Sequence, residues 1–327
     1  LRDRYSLQEL AIERRSAEAP RRLTDTGVLN WRPRYSADGK WLWWLHGDGT
    51  RPSSVRRMPA GGTLGQSQEV TQIEALGGFD LAKDGALVYE QTRSYLDQYS
   101  VQDLFVRPAS GAAATQLTRR RRARDPAVSP EGRWVAYSQI GEATSVLAIA
   151  PLVAAGESIA RALPEPLPHP AVAAGQREEV WRGQPFDQVY QPAWSPDGGR
   201  LAFSAWRRGG RRDILVLELG TGKVTEVTRD RAVDVDPEFS RAGRWLFFSS
   251  DRTGVANLFA HELATGELWQ VTDELGGAYQ PASAPDGKRL VFRGLGPDGF
   301  DLFEIEVAPA RWRRAQPYLD DRPEPTQ

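Results

Sequence analysis

The sequence has no cysteine, one methionine and three histidines among its 327 residues. Without cysteine there are no disulfides, no thiol catalysis and no Cys-ligated zinc. No stretch approaches the roughly 18 consecutive apolar residues that a transmembrane helix needs. The charges of the 42 basic and 43 acidic residues nearly cancel. A formal net charge of -1 argues against general electrostatic binding to nucleic acid or to an anionic membrane.

Motifs for common enzyme chemistry are also missing. The sequence contains no G-x-S-x-G nucleophile elbow, no H-E-x-x-H zinc motif and no phosphate-binding G-x-x-x-x-G-K-[ST] loop. Its histidines, His46, His169 and His261, are too scattered to suggest a metal centre. We therefore predict a chain that is not an enzyme and has neither a bound metal nor a cofactor.

What the sequence has in abundance is a recurring turn. Six copies end on a glycine: PRYSADG at Gly39, FDLAKDG at Gly85, PAVSPEG at Gly132, PAWSPDG at Gly198, PEFSRAG at Gly243 and PASAPDG at Gly287. The glycines are spaced by 46, 47, 66, 45 and 44 residues. A period of about 45 residues is typical of repeat architectures. In Ser195-Pro196-Asp197-Gly198, Pro presets φ, Asp closes the turn and Gly supplies a positive φ.

Each turn is followed by short segments rich in β-branched and aromatic residues. WLFFS at 245–249 follows one turn, NLFAHEL at 257–263 comes next, and LWQVT at 268–272 ends the unit on a threonine. These are strand patterns, and no segment has a sustained helical period. Four antiparallel strands in each unit predict an all-β fold, a β-propeller with one blade per repeat.

The pattern WSPDG…LAFSA…DILVLEL…VT resembles the TolB-like β-propeller repeat family, most clearly at 190–230 and 234–274. The resemblance extends from about residue 22 to 307 and implies the fold more strongly than the function, because many unrelated functions use such blades. The resemblance to TolB-type proteins implies a periplasmic location and the capture of an extended peptide. The blades also resemble the propeller of prolyl oligopeptidase family enzymes, in which the ring filters substrates.

The last repeat lacks a fourth strand, and APRRLTDT at 19–26 matches the end of a blade. We therefore expect six blades closed by the N-terminal segment, with seven blades as the alternative. Residues 5–13 could add or replace a neighbouring strand. The expected division is 1–26 for the closing segment, 27–307 for the propeller with an insertion around 154–189, and 308–327 for a Pro-rich tail or linker. Closure would remove exposed sheet edges.

The chain starts at Leu1 and its only methionine is Met58, so we expect a processed or excised product whose export signal has gone. The Pro-rich tail suggests that further domains follow in a parent protein. Together with the resemblance, these features predict a periplasmic or otherwise exported protein of the bacterial cell envelope.

The candidate binding residues lie seven positions before each turn glycine, where the chain enters the first strand of a blade. We call these six residues the mouth set: Arg32, Gly78, Asp125, Gln191, Asp236 and Gln280. All but Gly78 are followed by proline, so we expect them to converge around one mouth of a central channel. Tyr190 and Tyr279 precede two of them and are the best aromatic candidates. The alternative is that these polar groups are hydrated and bond adjacent blades.

Three other patterns favour structural roles. The carboxylates of DVDPE at 234–238 could touch a cation, but such a run more often faces water. The basic run TRRRRAR at 118–124 is expected to be a solvated loop that could accept an acidic segment. Trp41, Trp43, Trp134 and Trp245 fall on second strands, where packing between blades is expected.

The function predicted is therefore a non-enzymatic scaffold that binds a protein or extended peptide at the channel mouth. The alternative is a substrate-filtering propeller belonging to a larger hydrolase of the prolyl oligopeptidase type. A glycan-binding or lyase propeller is a third possibility, against which the missing histidine cluster counts. No nucleic-acid partner and no membrane insertion by this chain are expected.

Overall fold

The structure is a computed structural model, and it describes residues 19–26, 29–73, 77–95, 99–141, 143–152, 179–296 and 298–319. Apart from short 3-10 turns at Leu64–Gln66 and Pro309–Arg311, its regular structure consists of β-strands, which confirms the all-β prediction. Within these described ranges, no helix has the length and apolarity to cross a membrane.

The strands follow the sequence repeats. The first three repeats, with a short strand before them, contain β1 (Arg21–Arg22); β2 (Leu29–Tyr35), β3 (Trp41–Gly47), β4 (Ser53–Pro59) and β5 (Gln68–Ile73); β6 (Phe79–Leu81), β7 (Leu87–Tyr95), β8 (Tyr99–Arg107) and β9 (Thr115–Gln116); and β10 (Ala123–Val128), β11 (Trp134–Ile140), β12 (Ser145–Pro151) and β13 (Glu179–Arg182).

The remaining strands are β14 (Gln188–Trp194), β15 (Arg200–Arg207), β16 (Arg211–Glu218) and β17 (Val224–Glu226); β18 (Asp234–Phe239), β19 (Trp245–Ser250), β20 (Asn257–Glu262) and β21 (Leu268–Gln270); and β22 (Ala278–Ser283), β23 (Arg289–Gly296), β24 (Gly299–Glu306) and β25 (Arg313–Arg314).

These strands form five hydrogen-bonded sheets in which consecutive strands of a repeat pair antiparallel. The eight-stranded sheet contains the first and last repeats, joined by a single parallel pair between Leu29 and Phe300. The first strands of successive repeats also contact one another, and β2 contacts both β6 and β22. The contacts between first strands therefore run from β2 through β6, β10, β14, β18 and β22 and back to β2.

The recurring turn adopts the geometry that its sequence predicts. Gly198 has φ 70°, its N–H donates to the carbonyl of Ser195 over 2.9 Å, and the hydroxyl of Ser195 accepts from the N–H of Arg200 over 2.9 Å. The other five turn glycines have φ between 68° and 86°. A side chain at these positions would be strained. The turn glycine therefore has the same backbone conformation in all six repeats.

A threonine after the fourth strand locks it to the third strand of the same repeat. In the second repeat, the hydroxyl of Thr118 donates to Asp103 over 3.0 Å and accepts from the N–H of Leu104 over 2.9 Å. Thr272 bonds Asn257 and Leu258 in the same way, at 2.8 Å each. Buried polar groups need such partners. In the second and fifth repeats this pair of bonds therefore marks the end of the fourth strand.

The N-terminal segment makes the same pair of threonine hydrogen bonds with the third strand of the last repeat. β1 pairs antiparallel with β24, with Arg21 opposite Glu304. The hydroxyl of Thr24 donates to Asp301 over 2.7 Å and accepts from the N–H of Leu302 over 2.9 Å. Thr24 and Asp301 are both buried. Residues 21–24 thus occupy the position that a fourth strand has in the other repeats.

Hydrophobic clusters fill the spaces between neighbouring repeats. Trp134 and Leu147 of the third repeat pack with Val189, Trp194 and Phe203 of the fourth. Trp43, Trp134 and Trp245 are buried, and Trp41 is packed against the cluster that joins the first two repeats. The packing role expected of these tryptophans agrees with the structure.

Two boundaries differ from the sequence-based division. The expected insertion around 154–189 contains β13, which pairs with β12 as a fourth strand, and the start of β14. Residues 308–315 do not leave the fold as a linker, because β25 pairs with β21 and the buried indole of Trp312 packs at 5.0 Å from Trp245. Burying an indole outweighs the extended preference of the Pro-rich context. Residues 5–13 and 153–178 lie outside the described part of the chain.

Candidate functional site

Five of the six residues of the mouth set share one backbone conformation. Arg32, Asp125, Gln191, Asp236 and Gln280 all have φ between 53° and 55°. Positive φ is unusual for residues with a side chain and is held only where the surroundings enforce it. In each of these five repeats the pairing of the first two strands shifts register across this residue and the proline after it. The resulting bulge accommodates a proline that has no N–H to donate.

Side chains of the mouth set bond the backbone of the next repeat. The side-chain oxygen of Gln280 accepts from the N–H of Arg32 over 2.8 Å. Asp125 accepts from the N–H of Gln191 over 3.3 Å, and Gln191 accepts from the N–H of Asp236 over 3.2 Å. The structure therefore brings these residues together, and part of their polarity serves to join neighbouring repeats.

The second repeat has a glycine in the mouth set, and Glu90 of β7 replaces the missing side chain. Its carboxylate accepts from the N–H of Gly78 over 2.7 Å and from the N–H of Asp125 over 2.5 Å. A Cβ on Gly77 would lie 1.8 Å from this carboxylate, so glycine is required there. Burial, together with the neighbouring charge of Asp125, raises the pKa of Glu90. Sequence alignment on the turn did not identify Glu90 because it comes from the second strand.

Arg32 is the central cation of the mouth set. Its guanidinium contacts the carboxylate of Asp125 and lies 3.9 Å from Asp236. Burial opposes its charge, but Asp125, Asp236 and Glu90 outweigh that effect and raise the pKa of Arg32. The Oδ1 atom of Asp236 is buried and has no hydrogen-bond partner among the described residues, and burial raises the pKa of this carboxyl.

Tyr190 and Tyr279 each carry an arginine on one ring face. The guanidinium carbon of Arg212 lies 4.6 Å from the Tyr190 ring centroid, and that of Arg293 lies 5.6 Å from Tyr279 and 3.7 Å from Phe300. These distances fit cation–π contacts. Alignment on the turn missed both arginines. Arg293 could have been predicted from the sequence, because it pairs directly opposite Tyr279 on the neighbouring strand. Arg212 comes from β16, which does not pair with the strand of Tyr190.

A second polar layer lies two residues further along the first strands. Arg34 Nε is 3.6 Å from Asp80, while the carboxylate of Glu238 accepts from the N–H of Ser283 over 3.2 Å. Burial raises the pKa of Glu238 to about 7, against the effect of Arg34. Burial also raises the pKa of Asp80. Ionisable groups therefore lie in two layers along the first strands.

Large exposed apolar side chains lie at the same end as the mouth set. In antiparallel repeats, the first strands start where the second strands end and the third strands start. Five side chains at these positions are between 41% and 76% exposed: Tyr99, Phe186, Trp206, Val233 and Leu295. The turns at the opposite end carry none of the described large apolar side chains that are exposed. We call this end, with the mouth set and these five residues, the mouth face.

The alternating carboxylates of DVDPE do not converge on one cation. Asp234 lies 3.2 Å from Arg252, Asp236 faces Arg32, and Glu238 accepts from Ser283. Asp234 also lies near Asp213 and Asp230, whose carboxylate oxygens are within 4.8 Å of one another. Arg252 lies 3.4 Å from Asp230, and Arg207 lies 2.6 Å from Asp213. Two guanidinium groups already neutralise this cluster, so we assign no metal to it.

The basic run is held by backbone hydrogen bonds. The N–H groups of Arg120 and Arg121 donate to Asp103 over 2.8 and 3.0 Å. Arg119 and Arg120 nevertheless remain exposed. Of the histidines, neither His46 nor His261 belongs to a metal-sized cluster of described residues, and His169 lies outside them.

Several characterised and uncharacterised proteins have similar sequences. An uncharacterized protein of Agrobacterium fabrum, Atu1656, is 26% identical over 54% of this chain and 53% of its own length. The Tol-Pal system protein TolB of Francisella tularensis is 33% identical over 21% of this chain and 16% of its own. An uncharacterized peptidase of Bacillus subtilis, YuxL, is 25% identical over 57% of this chain and 31% of its own. The chain therefore matches about half or less of each relative.

Solved structures share the fold at low sequence identity. TolB from Acinetobacter baumannii superposes with a TM-score of 0.54 at 14% identity, covering 95% of this chain and 78% of that one. A puromycin hydrolase gives 0.56 at 15% identity, covering 97% and 56%. An oligogalacturonate lyase in complex with manganese gives 0.57 at 15% identity, covering 86% and 77%. At these identities the likeness concerns the fold alone.

A family profile, the TolB β-propeller domain, matches residues 170–315. This range contains the three repeats whose turns end at Gly198, Gly243 and Gly287, and it extends to β25. The resemblance predicted from the recurring turn is confirmed over these residues: the last three repeats match the profile of the TolB β-propeller domain.

Proposed function

We propose that the protein is a six-bladed β-propeller, closed by its N-terminal strand, that binds another protein at its mouth face without catalysing a reaction. Support for closure comes from the contacts of β2 with both β6 and β22 and from the Thr24–Asp301 lock. A seventh blade would have to separate β2 from one of these neighbours. The first strands then surround a central channel whose opening carries the mouth set.

One observation carries the binding function: five of the six large apolar side chains that are exposed among the described residues lie on one face. Apolar residues scattered singly over a surface need no explanation, whereas a set that surrounds a polar opening is typical of interaction sites. Trp206 and Tyr99 belong to the residue types that are enriched at protein interfaces. An extended segment entering the mouth could bury these side chains while it bonds the polar groups of the mouth set.

The location rests on family likeness. TolB-type proteins are periplasmic by the resemblance given above, and one relative is a component of a Tol-Pal system. We extend the cell-envelope location to this protein.

The binding function can be tested with random twelve-residue peptides displayed on phage and selected on the full chain. Selected peptides should bind the Trp206→Ser/Leu295→Ser variant at least ten-fold more weakly. Both side chains are about half exposed, so stability should change by less than about 0.5 kcal/mol each. Leu319→Ser is the matched control, because Leu319 is an exposed leucine in the C-terminal segment. Equal affinities for wild type and the double variant would remove the mouth face from the function.

A second function is favoured by the peptidase relative and by the puromycin hydrolase, of which this chain covers only part. In that case the propeller would be the substrate filter of a larger hydrolase. The sequence has no nucleophile elbow, so the filter would need a catalytic domain beyond these residues. Immunoblotting of the endogenous protein separates the two functions: a band near 36 kDa supports the free-standing scaffold, and a much larger band supports the filter.

A further inference from the structure

Arg212 and Arg293 are half-buried guanidinium groups at the mouth that have no acidic partner. Neither has a carboxylate within 4 Å among the described residues, although most arginines near the centre do. Arg212 Nε donates to the hydroxyl of Ser204 over 3.3 Å. Arg293 Nε is buried and has no hydrogen-bond partner in the described part of the chain. Both guanidinium groups therefore keep N–H donors that no described residue accepts.

The carboxylates near these two arginines are already engaged by another guanidinium. Both arginines are attracted by the carboxylate of Asp236 and repelled by Arg32. Arg32 is paired with Asp125 and also interacts with Asp236 and Glu90. Burial lowers the pKa of Arg212 and of Arg293. A carboxylate brought by a ligand would offset this unfavourable environment.

The two arginines lie over matching tyrosines in the repeats on either side of the one that holds Asp236, although Arg212 comes from a third strand and Arg293 from a second strand. Each lies over a tyrosine that directly precedes a residue of the mouth set. The aromatic face fixes the plane of the guanidinium, and a planar, oriented guanidinium is suited to bidentate binding of a carboxylate. Next to them are the exposed side chains of Trp206, which pairs opposite Arg212, and Leu295.

We propose that Arg212 and Arg293 bind carboxylate groups, so that the partner at the mouth face presents an acidic segment with apolar residues beside its acidic ones. This inference rests on the proposed protein-binding function and specifies the chemistry of the partner. Apolar neighbours favour a peptide over a purely polar acidic glycan, because a peptide can cover Trp206 and Leu295 as well.

The test compares a fluorescent, end-blocked hexaglutamate peptide with hexaglutamine on the full chain at low salt. Wild type should bind hexaglutamate at least ten-fold more tightly than hexaglutamine. Arg212→Gln/Arg293→Gln should abolish this difference. The control Arg208→Gln/Arg51→Gln removes the same charge from exposed arginines on the same face, and it should keep the preference. Arg212→Lys/Arg293→Lys retains the charge without the planar fork, so it should bind between these limits and serves if the glutamine pair does not fold.

Several results would overturn the inference: no preference for hexaglutamate, a preference that both double variants lose equally, or an oligogalacturonate that binds through the two arginines when hexaglutamate does not. The last result would assign the site to an acidic glycan. The phage-selected peptides keep the two proposals separate. If they need Trp206 and Leu295 but bind the Arg212→Gln/Arg293→Gln variant normally, the acidic partner is wrong and protein binding stands. If no selected peptide needs the mouth face, protein binding fails even when hexaglutamate binds.

Discussion

Replacing Thr24 by valine tests whether the N-terminal segment acts as the fourth strand of the last repeat. The hydroxyl of Thr24 is buried, donates to Asp301 over 2.7 Å and accepts from the N–H of Leu302 over 2.9 Å. Valine keeps the shape of the side chain and removes both hydrogen bonds. Asp301 retains other donors, since Arg22 Nε lies at 3.1 Å and Asn30 Nδ2 at 3.0 Å.

The expected loss follows from the groups left unpaired. A buried polar group that loses its partner costs about 1–3 kcal/mol. The N–H of Leu302 loses its side-chain partner, while Asp301 loses one donor of several, so we expect Thr24→Val to lower the free energy of unfolding by about 2 kcal/mol. Thr118→Val is the matched control, because Thr118 makes the same two bonds to Asp103 and Leu104 inside a covalently continuous repeat.

Urea unfolding, followed by tryptophan fluorescence, measures both variants. If residues 21–24 complete the last blade, the two losses should agree to within about 1 kcal/mol. A normal loss for Thr118→Val with no change for Thr24→Val would show that the N-terminal segment is not part of the cooperative unit.

Three further predictions concern other parts of the chain. Deleting residues 1–26 should expose the edge of β24, and size-exclusion chromatography should show loss of the monomer; a monomer that melts normally would contradict closure. Glu238→Gln should stabilise the protein by up to about 3 kcal/mol at pH 8 and by much less at pH 5. The pKa of Glu238 rises from its ordinary value of 4.5 to about 7 in the folded protein, so ionisation of this carboxyl lowers stability as pH rises from about 4.5 through 7. Equal gains at both pH values in urea titrations would show that its charge is not the cause. Trp312→Ala should cost about 3 kcal/mol in the same assay, whereas a linker residue would cost nothing.

Much of the fold and half of the site could be predicted because Gly and Pro fix the repeat locally. Counting back seven residues from each turn glycine finds the mouth set, since the left-handed turn and the X-Pro bulge recur at constant spacing. The short fourth strand after the insertion was missed. β13 has only four residues, Glu179–Arg182, and it follows a long Pro- and Ala-rich stretch that hides its pattern.

The rest of the site comes from long-range contacts that a repeat alignment does not contain. The carboxylate of Glu90 takes the place of the side chain that Gly78 lacks, because a glycine leaves space that a residue of the neighbouring strand can fill. Arg212 and Arg293 come from the third and second strands of their repeats, so only their position across the sheet brings them to the mouth. Their proposed role depends on the distance from each guanidinium to the nearest carboxylate, and the packing of the repeats determines that distance.

Photo-crosslinking of a phage-selected peptide, followed by mass spectrometry, tests whether a peptide binds at the mouth face. With a photoreactive group in the peptide, we expect adducts in the segments around the mouth set, at 186–191, 206–212, 293–296 and 298–300. Adducts confined to the opposite turns, around Gly198 and Gly287, would contradict this expectation.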